Sequence, residues 1–306
     1  MSIVLLGTPS SHPRRSGKVF LTITILLASV FPLTLMPNAK EDRPGKDGQL
    51  SGKQGQVLWI EVPVQERPDQ ILGTFRGRET PFFPVNAKSY GAILGIDMND
   101  PPGSQEFIVT VRSPTQTKQM SYTVLVIKED FAVQQLTLPK DQVDLDQPTL
   151  RRVRAEQLEL QTAFEFVGPH PLWEGAFIEP TRGRISGRFG SRRIINGYSK
   201  NPHTGEDIAA PLGTDVAAMN TGRVRLIIDH FFTGKGVILD HGVGLFSMYF
   251  HLSETSVKKG QLVKKGQTIG KVGSTGRATG PHLHWGVRLN GSRVNPYSLT
   301  SLPIAN

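Results

Sequence analysis

Cysteine is absent from the 306 residues. Disulfides, thiolate metal sites and a cysteine nucleophile are therefore excluded, and any metal must be held by imidazole and carboxylate. Acidic side chains are absent from the first forty residues, which carry Arg14, Arg15 and Lys18 ahead of an almost uncharged run from Val19 to Met36. Basic residues before such a run stay on the cytoplasmic side while the run enters a bilayer, and wound as a helix it would approach the roughly 30 Å hydrocarbon core. This predicts an export leader over 1–39, either a cleaved signal or a retained membrane anchor, and hence a periplasmic or other cell-envelope location. Pro37 and Asn38 before Ala39 leave no small-x-small cleavage site, and the lack of cysteine excludes a lipoprotein anchor. No long-period repeat is present.

Charge is uneven along the chain. Residues 41–180 hold 14 Lys and Arg against 20 Asp and Glu, whereas residues 181–306 hold 17 against 6. A basic C-terminal half suits a polyanionic partner, which for an exported chain means cell-wall polymer or anionic lipid. Nucleic acid is disfavoured by the leader and by the lack of a matching motif. Lys258, Lys259, Lys264 and Lys265 read simply as a solvated face. The opposite signs suggest that the acidic N-terminal part docks on the basic part and partly covers its working surface, with substrate positioning an equally reasonable use of it.

Residues 40–55, rich in Gly, Lys, Asp and Gln without apolar period, read as a tether. From Val57 short apolar or alternating runs appear at Val57 to Val64, Gln70 to Phe75, Tyr90 to Ile96, Glu106 to Arg112 and Ser121 to Ile127, separated by turn signals such as Asn99-Asp100-Pro101-Pro102-Gly103. They predict a β-sandwich-like domain over 56–140. Leu150, Val153, Leu158, Phe164 and Val167 then recur at helical spacing after capping candidates Asp146 and Thr149, so 141–180 reads as a helical connector. Residues 181–306 form a second strand-rich domain, with runs at Val224 to Asp229, Gly236 to Asp240, Gly244 to His251 and His282 to Leu289. The fold class is mainly β.

Five chemistry-bearing residues fall in three short segments of that second domain: Pro202-His203-Thr204-Gly205-Glu206-Asp207, Tyr249-Phe250-His251-Leu252 and Gly280-Pro281-His282-Leu283-His284-Trp285. Residues two apart in a strand share a face, so His282 and His284 can enter one site, and His251 can reach it from a neighbouring strand. His203 and Asp207 are four apart, and Pro202 and Gly205 favour a turn over a helix between them. Catalytic zinc takes three His, Asp or Glu ligands and keeps a position for water. Two histidines and an aspartate would serve, with two histidines left for proton transfer and charge stabilisation. Trp285 should face the core. His230 and His241 read as hydrogen-bonded structural groups, and His12 and His170 as leader and linker residues. Gly273, Gly276 and Gly280 read as turns framing the groove.

These segments, with Asn196-Gly197, Ala209-Ala210-Pro211-Leu212-Gly213-Thr214, Asp240-His241-Gly242, Gly266-Gln267 and Thr275-Gly276-Arg277-Ala278-Thr279, resemble in order the catalytic domain of lysostaphin-type and LytM-type peptidoglycan metallopeptidases across roughly residues 181–297. The resemblance implies an open antiparallel β-sheet with Zn2+ in a groove walled by loops. It implies metal ligands at His203, Asp207 and His284, and His251 and His282 as the catalytic pair. The implied reaction is hydrolysis of peptide cross-links in peptidoglycan stem peptides. A non-catalytic activator of cell-wall amidases is the alternative, disfavoured because such relatives resemble versions that have lost ligands. Glu206 departs from the aliphatic residue usual before the metal aspartate, and a solvent-facing position is the simpler expectation for it. Tyr198 and Tyr249 are candidates for the tyrosine that the family places near the oxyanion.

Overall fold

The computed structural model describes residues 49–140 and 143–304. The expected leader, His12 and most of the expected tether lie outside them. Among the described residues no helix is long and apolar enough to cross a membrane.

The N-terminal part contains β1 (Gln49–Lys53), β2 (Val57–Pro63), β3 (Gln70–Phe75), β4 (Arg78–Pro81), β5 (Phe83–Asn86), β6 (Ser89–Gly95), β7 (Gly103–Arg112), β8 (Thr117–Ile127) and β9 (Val133–Leu136). One sheet has the order β1-β8-β7-β3-β4 and another β2-β6-β5. Between them lies a core that includes Leu58, Ile60, Val62, Phe75, Phe107 and Val124. Alternation along β2 serves two cores: Leu58, Ile60 and Val62 face the sandwich, while Val57 and Trp59 join the core of the C-terminal part beside Phe83 and Trp173.

Part of the expected tether proves to be structural, because β1 pairs in parallel with β8 and buries Leu50. Composition hides this strand. Its inner face is only Leu50 and Gly52, and a Cβ on Gly52 would sit 2.9 Å from Ile96 Cδ1 and 3.0 Å from Leu58 Cδ2.

The connector forms α1 (Gln147–Phe164), capped by Asp146, whose carboxylate accepts the Thr149 N–H. Its packing face is Val153, Leu160, Ala163 and Phe164, and the last three meet Leu226, Ile228, Phe246 and Phe250. Leu158, expected on that face, is 63% exposed. Polar ties set the helix rotation: Glu156 accepts the Phe231 N–H, and Glu159 lies 2.9 Å from His230 Nε2.

Beyond it run β10 (Arg184–Gly187), β11 (Arg192–Ile195), β12 (Tyr198–Lys200), β13 (Gly205–Ala209), β14 (Asp215–Ala217), β15 (Gly222–His230), β16 (Gly234–Asp240), β17 (Leu245–Thr255), β18 (Leu262–Val263), β19 (Thr268–Val272), β20 (His282–Leu289) and β21 (Ser292–Val294), followed by α2 (Pro296–Thr300). The main sheet has the order β10-β13-β20-β17-β16-β15-β18, with β21 beside β20 and β19 against β17 and β14. A small sheet, β12-β11-β9, has β9 parallel to β11 and so joins the N-terminal part to the loops around β13.

The sandwich meets the C-terminal sheet at β21 and α2. Arg293 grips Asp97 with Nη2 2.8 Å from Oδ1 and Nε 3.1 Å from Oδ2, while its own N–H donates to Oδ2 at 2.7 Å. Ser292 donates to the Gly95 carbonyl, and the Val57 N–H donates to Ser298. Burial raises the Asp97 carboxyl pKa, but the Arg293 bonds outweigh it and leave the pKa below the usual value. A lowered folded pKa gives stability that is present above the unfolded value near 3.8 and lost as pH falls through the folded value.

Replacing Asp97 with Ala should therefore cost about 2 kcal/mol at pH 7, read as a lower urea midpoint, and the difference from wild type should shrink below about pH 4. Lys128→Ala, which removes an exposed pair with Asp130, should leave the midpoint in place.

Candidate metal centre

The register of β13 on β20 sets Asp207 directly opposite His284 and Ala209 opposite His282. Directly opposed residues of an antiparallel pair share a face. Asp207, His284 and His282 therefore all project to one side of the sheet, while Trp285 turns into the core, fully buried against Tyr297. His203 stands just before β13, in neither a helix nor a hydrogen-bonded turn. Its backbone pairs with the β10–β11 turn through Gly190 N–H to His203 O and His203 N–H to Ser191 O, which leaves the ring buried beside Asp207.

Three donor atoms converge. His203 Nε2 and His284 Nδ1 each lie 2.9 Å from Asp207 Oδ1 and 2.9 Å from one another. On the far side of its ring His203 Nδ1 is 3.0 Å from the Arg188 carbonyl. A carbonyl only accepts, so this bond assigns the proton to Nδ1 and turns the Nε2 lone pair toward the cluster. The other carboxylate oxygen, Oδ2, is 3.6 Å from Arg193 Nη2. Two glycines keep the space clear: a Cβ at Gly187 would overlap Asp207, and one at Gly205 would stand 2.7 Å from His284 Nε2.

His251 reaches the same place by breaking the pleat. Phe250 pairs with His284 and stacks on its ring at 5.7 Å and 5°, so regular alternation would send His251 into the core with Tyr249. Instead the ladder between β16 and β17 slips here, with Lys235 opposite Leu252 and Val237 opposite Tyr249, and His251 takes φ +63°. A non-glycine residue in the left-handed region at a bulge is strained, and bulges re-aim side chains. The His251 ring turns outward to lie 4.7 Å from that of His282. Both are anchored through Nδ1, His251 to the Thr275 carbonyl and His282 to the Gly280 carbonyl, each at 2.8 Å. Their Nε2 atoms are thereby left as acceptors.

Electrostatics follow from burial. Desolvation holds His251 at about 3, helped by the neighbouring imidazoles of His284 and His282, and desolvation holds His203 at about 4. Burial alone would raise the Asp207 carboxyl pKa, but the adjoining His203 and His284 imidazoles hold it far below the usual range. The cluster thus offers two imidazole nitrogens and one carboxylate oxygen, with no thiolate. All three donors lie within 4.8 Å of each other, and the Asp207 and His284 side chains keep 13% and 12% exposure toward a groove of about 600 Å³. This donor set fits a divalent transition ion of zinc type.

The groove also shows what sequence reasoning missed. One wall is Leu136 and Leu138, at and beyond β9; another is Gln157, Leu160 and Phe164 of α1. Arg188, which anchors His203 through a backbone carbonyl, has no signature a sequence could carry. Glu206 is not solvent-facing: it is 4% exposed on the opposite face from Asp207, and Asn295 donates to it at 3.2 Å. Tyr249 is fully buried with its hydroxyl accepting from Met219 N–H, and Tyr198 lies 71% exposed on β12. Neither candidate tyrosine lines the groove. His241 is a core residue bonded to Thr221 and Ser247.

His284→Ala or Asp207→Asn should lower affinity for a divalent metal by at least about a hundredfold, read as metal retained by the dialysed chain, while circular dichroism is unchanged. Gly205→Ala, whose methyl group would meet both the Trp285 carbonyl and the His284 ring, should also reduce the metal retained.

A model of peptidase family M23 matches residues 201–296. Over 128 residues the chain is 41% identical to the peptidoglycan DD-endopeptidase ShyA of Vibrio cholerae, covering 41% of this chain and 29% of that protein. It is 44% identical over 128 residues to the DD-carboxypeptidase/endopeptidase Mpg of Neisseria meningitidis, covering 41% and 30%. The matched stretch thus spans under a third of the length of these curated relatives. A crystal structure described as a peptidase M23 from Pseudomonas aeruginosa aligns at a TM-score of 0.63 and 32% identity, over 81% of this chain and 94% of that one. With a counterpart matched over nearly its whole length, and a family match that contains all five clustered residues, the chain belongs to peptidase family M23.

Proposed function

We propose that the chain is a zinc-dependent endopeptidase that hydrolyses peptide cross-links of peptidoglycan. The observation that carries this reading is the convergence of His203 Nε2, Asp207 Oδ1 and His284 Nδ1 at a groove that also holds His251 and His282. The relatives named as peptidoglycan DD-endopeptidases support the substrate class. Bound through the three donors, zinc would polarise the scissile carbonyl and make water acidic enough to attack at neutral pH.

The chain's own groups supply the rest. His251 and His282, held by Nδ1 bonds to backbone carbonyls, each turn the Nε2 lone pair toward the groove. One takes the proton of the attacking water and returns it to the leaving amine. The other accepts a hydrogen bond from the same water and so polarises and orients it. The shared tautomer leaves the two assignments interchangeable. An amidase activator needs none of these ligands, and all five residues are present here.

The proposal extends to place and control. The basic run and apolar stretch of the first forty residues support export to the cell envelope, with or without retention as a membrane anchor. The walls contributed by β9 and α1 support a docking of the N-terminal part that narrows access to the groove.

Purified full-length chain with zinc should release fragments from isolated peptidoglycan, identified by mass spectrometry. His251→Ala should keep its zinc but lose about 10² to 10⁴ in kcat. A zinc-loaded wild type that releases nothing would overturn the reading.

A further inference from the structure

Seven buried side-chain polar atoms lack a partner among the described residues, and four of them, Gln134 Oε1, Arg193 Nε, Thr233 Oγ1 and Arg288 Nε, belong to residues that line the groove. Folded chains satisfy nearly all such groups, and the unpaired ones here are concentrated in residues that line the groove.

Among these, Arg288 is the unmatched charge. It lies four residues beyond His284 on β20, on the same face, about 13 Å along the strand. Across the ladder its neighbour is Arg293, whose guanidinium is already held by Asp97. Arg193 lies 3.6 Å from Asp207. The Arg288 guanidinium has no hydrogen bond or ion pair among the described residues; its contact is the face of Phe164, 5.2 Å away. Among the described residues Asp207 is the single acidic one lining the groove, and it belongs to the donor cluster. Asp97 acts on Arg288 through space but is itself bonded to Arg293; a half-buried cation with no directly bonded counter-ion is costly, while a guanidinium stacked on an aromatic ring keeps edge donors in a fixed fork.

We propose that Arg288 is a specificity residue that receives a carboxylate of the bound peptide, about four extended residues from the bond being cut. The inference rests on the hydrolase reading for its substrate and on Arg288's own surroundings for its chemistry. Phe164 belongs to α1, so the connector holds this arginine in place, and the subsite needs both parts of the chain.

The test uses cross-linked muropeptide dimers in two preparations, native and with their free carboxyl groups converted to amides. Affinity is measured by fluorescence anisotropy of labelled dimers on the full chain carrying His251→Ala to prevent turnover, and KM and kcat are measured on wild type. Amidation should weaken binding and raise KM about tenfold, equivalent to about 1.4 kcal/mol. In Arg288→Gln the native-to-amidated ratio should approach one, with zinc content and circular dichroism unchanged. Arg288→Lys, which restores charge without the fork, should give an intermediate ratio. Equal binding of the two preparations by the otherwise unaltered chain, or a ratio that survives Arg288→Gln, overturns the subsite. A carboxylate-dependent, Arg288-dependent difference in binding with no cleavage by zinc-loaded wild type overturns the hydrolase reading instead and leaves the subsite standing.

Discussion

The antiparallel register between β13 and β20 is the constraint on which the site depends. It sets Asp207 against His284 and brings His282 to the same face. Side chains alternate with period two, so a slip of one residue would exchange these groups for Trp285 and Leu283 and send the donors into the core. The register is therefore fixed by the apolar face: Leu283, Trp285, Val287 and Leu289 are all fully buried, and their packing chooses the side on which the imidazoles emerge. Hydrophobic burial, a non-directional force, thus sets a directional polar geometry.

Around that register the local departures from regularity have a common purpose. The left-handed backbone at His251 and the bulge beside it bring outward a side chain that the pleat would bury. Gly187 and Gly205 leave out the methyl groups that would crowd Asp207 and His284. Each departure lowers local stability, and each lies within contact distance of the cluster. Elsewhere in the same sheet His241 and Tyr249, equally buried, have their polar atoms fully engaged by Thr221, Ser247 and Met219, as groups with only a packing role should be.

Much of this was legible in the sequence, for identifiable reasons. Gln70 to Phe75 and His282 to Leu289 match observed strands at both ends because their apolar periodicity is strong and turn residues bound them. The five clustered residues were readable because their order and flanking glycines and prolines are distinctive. Strand β1 was hidden because it buries one leucine and one glycine. Leu158 misled because periodicity marks apolar residues without saying which neighbouring surface exists to receive them. The inward position of Glu206 could not be read, since nothing in a sequence tells that Asn295 will stand opposite it. The groove walls supplied by β9 and α1 were also out of reach, because they depend on how separate parts of the chain pack.

The Asp97–Arg293 grip has a consequence for how such chains can be recombined. Arg293 follows the β20 strand by a tight hairpin, so one half of this ion pair travels with the histidine-bearing segment and the other with the sandwich. A chimera that took either half from a relative lacking the matching residue would strand a desolvated charge at the seam. The two halves are therefore heritable as a matched set, and exchange between lineages should keep the aspartate and the arginine together.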